Sequence, residues 1–285
     1  MSNARETALI LGGTGRTGSV IARSLVERGL QVRTAAPRGA DVRFEWDDPA
    51  THRSALAGVD RIYLVTPVQR VSYVSVVSDF LDLAEAAGAQ HITYLSAYGS
   101  DRAPAEVDIN AVEHELIGRQ AFGASVLRPA WLMQNFTDSH MPVVDNMITV
   151  PTGEGAEAFV DAADIAAVAV ETLTDPDAHA GAVYEPTGPE ALTIAEVADI
   201  ISDVAGRRIR HNDIERGVWV GGAVAGGFVP ADYAVMLNWL TETIASGHGA
   251  RPNDDVLKVT GAPPASFADF ARRNAQAWAH ARVRS

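Results

Sequence analysis

The sequence predicts an α/β protein: a doubly wound parallel sheet carrying a smaller, mainly helical C-terminal lobe. Three observations predict it. The apolar run Ala8, Leu9, Ile10 and Leu11 ends in glycines, as a central parallel strand does when helices cover both of its faces. Strand-like and helix-like segments then alternate at the length of a βαβ unit up to about residue 130. Beyond that point the alternation weakens and turn residues multiply, among them Pro142, Pro151, Gly153 and Gly155.

Taken in order, the first helix turns Val20, Ile21 and Leu25 toward the sheet, and Gly29 closes it. Gln31 to Ala36 reads as the second strand. Val42 to Trp46, Arg61 to Thr66 and Ile92 to Leu95 are further strands, and Val126 and Leu127 begin another. Ser72 to Ala87 is a helix, with Val77, Phe80, Leu81 and Ala84 on one face and Gly88 as its stop. Later, Phe159 to Leu173 reads as a helix capped by Asp161 or Asp164, and Val183 to Glu185 as a late strand. Thr193 to Ala205 is a helix whose N-cap Thr193 and third residue Glu196 make a capping box. The remaining stretch is helical and less regular.

Composition narrows the chemistry. With no cysteine among 285 residues, disulfides, thiolate metal sites and a cysteine nucleophile are excluded. The formal charge of -13 repels phosphate backbones, so nucleic acid is not an expected partner. Met1 to Thr7 is polar, without the long apolar run of an export signal. The charge-free stretch Val218 to Val229 contains Gly221, Gly222, Gly226 and Gly227 and falls short of the roughly 20 residues a membrane span needs. The expectation is a soluble cytoplasmic protein, monomer or homodimer, with no membrane partner. The histidines at 52, 91, 114, 140, 179, 211, 248 and 280 are scattered singly, so no metal site is expected. His114 is a minor candidate for cofactor contact. No G-x-S-x-G elbow is present.

The main motif is Gly12-Gly13-Thr14-Gly15-Arg16-Thr17-Gly18, set where the first strand hands over to the first helix. Glycines there allow a tight turn, close approach of a pyrophosphate to backbone N–H groups, and close packing of helix on sheet. This is a dinucleotide-binding loop, and the region 1–150 is read as a Rossmann-type NAD(P) domain. Residues 151–285 are read as a mixed segment that returns to the sheet and forms a C-terminal substrate lobe. NAD enzymes place an acid about 20 residues beyond the glycines. Here Thr34-Ala35-Ala36-Pro37-Arg38 holds none before Asp41. Arg16 and Arg38 suit a 2′-phosphate as bidentate donors, or they are two solvated surface arginines. NADP(H) is expected, with NAD(H) as the alternative.

The glycine loop, Leu64-Val65-Thr66-Pro67, Tyr94-Leu95-Ser96-Ala97, Leu127-Arg128-Pro129-Ala130-Trp131 to Asn135-Phe136, and Phe159-Val160-Asp161-Ala162-Ala163-Asp164-Ile165-Ala166 together resemble the NmrA-like family of atypical short-chain dehydrogenases, from about residue 8 to about residue 280. That family includes quinone and other NAD(P)H-linked reductases, iminium-reducing enzymes of ergot alkaloid pathways, and inactive regulators that sense the dinucleotide. The resemblance implies that Gly12, Thr14, Gly15, Arg16, Thr17 and Gly18 surround the pyrophosphate and that Asp47 lies beside the adenine. It implies that Val65, Thr66 and Pro67 line the cofactor and that Ser96, Ala97 and Tyr98 flank the nicotinamide. Pro129, Ala130, Trp131 and Asn135 would bridge cofactor and substrate pocket.

Ser96 is read either as a hydroxyl reaching a substrate carbonyl or the nicotinamide carboxamide, or as a turn cap. Tyr98 is a polar positioner or a stacking wall. Trp131, Phe228 and Tyr233 are candidates for an apolar substrate pocket, with core packing as the other explanation of the aromatic C-terminal residues Trp219, Phe228, Tyr233, Met236 and Trp239. The lone lysine, Lys258, follows Asp254 at the spacing where a Tyr-x-x-x-Lys motif needs a tyrosine. No proton-relay pair exists, and Ser96, Tyr98 and Asn135 remain as positioners. The expected activity is therefore hydride transfer from NADPH to a small apolar or aromatic, electrophilically activated substrate: an iminium, a quinone or an enone. The alternatives are a non-catalytic sensor acting on a protein partner, and a non-redox isomerase or cyclase on the same fold.

Overall fold

The computed structural model describes residues 6–138 and 140–279. The start of the polar N-terminal stretch, up to residue 5, and His280 lie outside them. The first half runs β1 (Thr7–Leu11), α1 (Gly18–Glu27), β2 (Gln31–Ala36), β3 (Val42–Arg43), α2 (Ala50–Leu56), β4 (Arg61–Val65), α3 (Val74–Ala87), β5 (His91–Leu95), α4 (Ile109–Gly118) and β6 (Gly123–Leu127). The second half runs α5 (Asn135–Asp138), β7 (Val143–Val144), β8 (Met147–Thr149), β9 (Ala156–Glu157), α6 (Ala162–Thr174), α7 (Pro176–His179), β10 (Val183–Tyr184), β11 (Leu192–Thr193), α8 (Ile194–Ala205), β12 (Arg210–Asn212), α9 (Arg216–Ala225), α10 (Ala234–Ala245), α11 (Asp255–Thr260) and α12 (Phe267–Arg273).

The central sheet has the order β10-β6-β5-β4-β1-β2-β3, and every pair in it is parallel. Its order reverses on either side of β1, the switch point where ligands of such sheets bind. The strand pleat sends successive side chains to opposite faces. Leu9, Leu11, Ile62, Leu64, Ile92 and Tyr94 meet Val77, Phe80 and Leu81 of α3 and Val112 and Leu116 of α4. Ala8, Ile10, Tyr63 and Leu127 meet Ile21 and Leu25 of α1 and Ile165, Ala166 and Ala169 of α6. Burial on both faces explains why β1 reads as one continuous apolar run.

Several boundaries differ from the sequence reading, each for a local reason. Helix α3 begins at Val74 rather than Ser72, because the Asp108 carboxylate takes the N–H groups of Tyr73 and Val74. Strand β3 stops at Arg43, where Asp48 N–H turns back to the Glu45 carbonyl. Strand β6 starts at Gly123 and ends, instead of beginning, at Leu127, since Pro129 cannot donate to a ladder. Helix α6 starts at Ala162, capped by Asp161 through the N–H of Ala163 at 2.9 Å. Phe159 and Val160 are not helical: Val160 bridges Leu132, and Asp164 instead accepts from Ala265 N–H. The capping box of α8 is present, with Thr193 N–H to Glu196 Oε2 at 2.8 Å and Glu196 N–H to Thr193 Oγ at 3.2 Å.

Strand β10 and helix α6 come from the second half yet belong to the sheet. The rest of that half packs around Phe136, Ile148, Phe159, Ile194, Phe267, Phe270 and Trp278, with β12 and β7 flanking β8, and β9 paired to β11. No helix among the described residues is long and apolar enough to cross a membrane.

Candidate active site

The glycine loop closes on itself between β1 and α1. Gly12 has φ +64, a left-handed conformation that suits glycine. Gly13 donates to the Ala35 carbonyl at 3.2 Å, and a Cβ on it would stand 2.6 Å from that of Thr34. Gly15 N–H reaches the Gly12 carbonyl at 2.8 Å, and a Cβ on Gly18 would run into that same carbonyl. The loop is thus pulled tight against β2 and α1, while Gly12, Thr14 and Gly15 stay exposed on the carboxyl side of the sheet. The first-turn N–H groups of a helix lack intrahelical acceptors, so this cradle fits a pyrophosphate. Thr17 departs from expectation in its side chain: its buried hydroxyl accepts from Tyr63 OH at 2.9 Å, tying α1 to β4 rather than facing outward.

At the end of β2, Asp41 is folded back on the strand, accepting from Thr34 N–H at 2.8 Å and Thr34 Oγ at 2.7 Å. These bonds, the backbone one foremost, hold its carboxyl below the ordinary value. Both bonds fall on Oδ2, so this carboxylate is held against β2. Arg38 is exposed and has no ion-pair partner among the described residues. Arg16 reaches across to Asn135 Oδ1 at 3.4 Å. Asp47 is exposed and paired with Arg70 at 2.8 Å.

Val65, Thr66 and Pro67 leave the end of β4 half-buried. The Tyr73 hydroxyl beside Thr66 is pushed up to about 12, by burial above all. Next to them the ends of β5 and β6 run together: Ser96 N–H bonds the Leu127 carbonyl at 2.8 Å, and Tyr98 N–H the Pro129 carbonyl at 2.9 Å. Ala97 and Ala130 are carried on these two segments. The Ser96 hydroxyl donates to Glu113 of α4, a residue 1% exposed. The Ser100 hydroxyl donates to the same carboxylate, and Arg128 Nε meets its other oxygen at 3.0 Å. The Ser96 hydrogen is thus engaged by the Glu113 carboxylate. Sequence reasoning passed over Glu113, whose signal was only its place on the helix facing Ser96 and Arg128. His114 points outward and bonds the Asn110 carbonyl at 2.9 Å.

Tyr98 lies tilted against His248, ring centroids 5.4 Å apart, and Arg102 donates to His248 Nδ1 at 3.0 Å. Burial, then Glu185 and Glu157, raise the Tyr98 hydroxyl above its ordinary value. Trp131 N–H donates to Glu157 Oε1 at 3.2 Å, and the indole meets His140 edge-on at 6.2 Å. Glu157 was missed by the sequence reading. It is 1% exposed, its Oε2 has no hydrogen-bond partner among the described residues, and Gly249 presses so close that a Cβ there would overlap it. Burial lifts its carboxyl to about 7. Asn135 is buried at the head of α5. Tyr233 packs against the buried cluster of Val71, Val107, Ile109 and Met236, as does Ala97. Phe228 does not: it is 74% exposed on a loop held to the β4–α3 connection by Gln69 Nε2 bonding the Phe228 carbonyl at 3.2 Å. Its ring lies over Gly226, where a Cβ would stand 2.6 Å from Cε2, and its other side is open to solvent.

The model of the NmrA-like family matches residues 4–246. An uncharacterized oxidoreductase of Bacillus subtilis, YesF, is 39% identical over 95% of this chain and 96% of its own length. The NAD(P)H azoreductase of Xenophilus azovorans is 31% identical over 95% of this chain and 98% of its own. Among solved structures, an NADPH-dependent quinone oxidoreductase of Escherichia coli, complexed with NADPH, superposes with a TM-score of 0.75 at 21% identity, covering 94% of this chain and 99% of that one. That likeness shows the fold.

Proposed function

The chain belongs to the NmrA-like family, and on that premise we propose that it is an NAD(P)H-dependent oxidoreductase, with NADP(H) preferred, that delivers hydride to a small apolar, electrophilically activated acceptor. The observation that carries this reading is the open cradle of Gly12, Thr14 and Gly15 beside the exposed Arg38, which has no ion-pair partner among the described residues. Oxidoreductase relatives that align along nearly the whole chain support it.

On this reading the bound cofactor supplies the hydride, and the protein binds, orients and excludes water. Residues 1–150 hold the dinucleotide, and 151–285 return α6 and β10 to the sheet and form the lobe over it. Arg38 takes the 2′-phosphate, and Arg16 joins it there only by leaving Asn135. Val65 to Pro67, Ala97, Pro129 and Ala130 form walls, while Trp131 and Tyr233 give the substrate an apolar face. Asn135, fixed by Arg16, positions the loop against the lobe. The chain has no Tyr-x-x-x-Lys to protonate a developing alkoxide, so the acceptor must take hydride readily: an iminium, quinone or enone.

The test is NADPH oxidation by the purified protein with quinones, cyclic iminium salts, enones and simple ketones. Turnover of one of the first three classes with none of simple ketones is expected; efficient ketone reduction, or no turnover of any class, would overturn the reading. Arg38→Ala is expected to weaken NADPH binding about tenfold or more and leave NADH binding unchanged, as measured by calorimetric titration. Tyr98→Phe should keep at least a third of the turnover of the best acceptor; its loss would make the Tyr98 hydroxyl a proton donor.

A further inference from the structure

We infer that the Ser96 hydroxyl meets a bound dinucleotide as an acceptor only, so that it takes the N–H2 of the nicotinamide carboxamide and offers no hydrogen to the substrate, with Glu113 as the residue that sets this polarity. The inference rests on the dinucleotide reading above and deepens it.

A serine hydroxyl has one hydrogen and two lone pairs. Glu113 can only accept, and it is buried with all of its neighbours arranged as donors: Ser96 and Ser100 on Oε1, and the Arg128 fork on Oε2 with Nε also 3.3 Å from Oε1. Ser100 is wholly buried and spends its own hydrogen there. If Ser96 turned its hydrogen toward a ligand, a buried carboxylate would lose a donor that no water can replace. The hydrogen therefore stays on Glu113, and a ligand group approaching Ser96 finds lone pairs.

Substrate carbonyls, quinone oxygens and developing oxyanions all need a donor and gain nothing from such a hydroxyl. A carboxamide N–H2 needs an acceptor and does gain. The segment beginning at Ser96 is held beside the end of β6 by Ser96 N–H to Leu127 and Tyr98 N–H to Pro129. Glu113 and Arg128 brace both segments from beneath, so the acceptor is fixed in place. Glu113 is in this sense a positioning residue.

The experiment compares calorimetric binding of NADP+ with that of its 3-acetylpyridine counterpart, in which a methyl group replaces the carboxamide N–H2. Wild-type protein is expected to hold NADP+ about tenfold more tightly, and Ser96→Ala to hold both within about twofold. Glu113→Gln gives a second reading. Arg128 fixes the glutamine oxygen, the glutamine N–H2 then donates to Ser96, and the serine hydrogen turns outward, so the preference for NADP+ should collapse. A purely structural role would weaken both nucleotides alike and leave their ratio unchanged. Equal binding of both by the wild type, or an unchanged ratio in Ser96→Ala, would overturn this inference alone. Binding of neither nucleotide by the wild type would overturn the dinucleotide reading and this inference with it.

Discussion

Gly15→Val is expected to leave a folded protein that no longer binds NADP(H), whereas Gly18→Val is expected not to fold stably. The two glycines share one motif and carry different loads. A Cβ on Gly15 would lie 3.0 Å from the Gly12 carbonyl oxygen, a contact the loop absorbs by a small shift, because Gly15 is exposed and its φ is not in the left-handed region. The added branches project into the cradle where a pyrophosphate must approach the N–H groups of α1. An affinity loss of about a hundredfold or more follows from losing several charge-assisted hydrogen bonds at once. Gly18 is buried in the first turn of α1, and its Cβ would meet the Gly12 carbonyl and carbon and the Gly13 Cα, all backbone. Overpacking that cannot be relieved by a side-chain rotation costs about 1–3 kcal/mol and sometimes more, and here it falls where α1 is anchored to the sheet. Circular dichroism and thermal melting alongside calorimetry check both. A Gly15→Val protein that still binds, or a Gly18→Val protein as stable as wild type, would contradict this division of labour.

The central sheet was legible because its signals are local. Ala8 to Leu11 is apolar on both faces, the glycines follow at once, and Val77, Phe80, Leu81 and Ala84 keep helical spacing. What was not legible depends on partners distant in sequence. The start of α3 is set by Asp108 from the far side of β5. Phe159 and Val160 have a composition that suits helix or strand, and the backbone groups of Trp131 and Met133 hold Val160 in an isolated bridge outside the helix. Of the site, the glycine cradle and the ends of β4, β5 and β6 could be read from residue type and position. Glu113 and Glu157 could not, since a lone glutamate on a helix or in a turn-rich stretch reads as solvated. Burial of Glu113 requires Ser96, Ser100 and Arg128 to converge on it. Burial of Glu157 requires Gly249, which has no side chain to hold it away. The 74% exposure of Phe228 was equally illegible, because residue type alone does not say how much of an aromatic ring its loop covers.

Glu157→Gln is expected to flatten the dependence of stability on pH between about 5 and 8. The Glu157 carboxyl rises from its ordinary 4.5 to about 7 in the folded chain because it is buried, and the single N–H from Trp131 only partly offsets that. Between those two values the folded protein holds a proton that the unfolded chain has released. Stability is therefore full below about pH 4.5, falls as pH rises through about 7, and is level above it. The total loss is on the order of 3 kcal/mol, or several degrees in melting temperature for a chain of this size. A glutamine has nearly the same shape, keeps an oxygen for Trp131 N–H, and carries no charge to desolvate at any pH. Its own N–H2 lacks an acceptor where Oε2 now lies, but that penalty is the same at every pH, so the slope and not the absolute stability is diagnostic. Melting curves at half-unit intervals should show the variant gaining on the wild type as pH rises, with the difference levelling off above about 7. Tyr98 is a second witness, since Glu157 contributes to the upward shift of its hydroxyl, and neutralising that charge should let Tyr98 titrate at lower pH. Parallel melting curves for the two proteins across this range would mean that Glu157 is not buried as a near-neutral acid beneath the Trp131 turn.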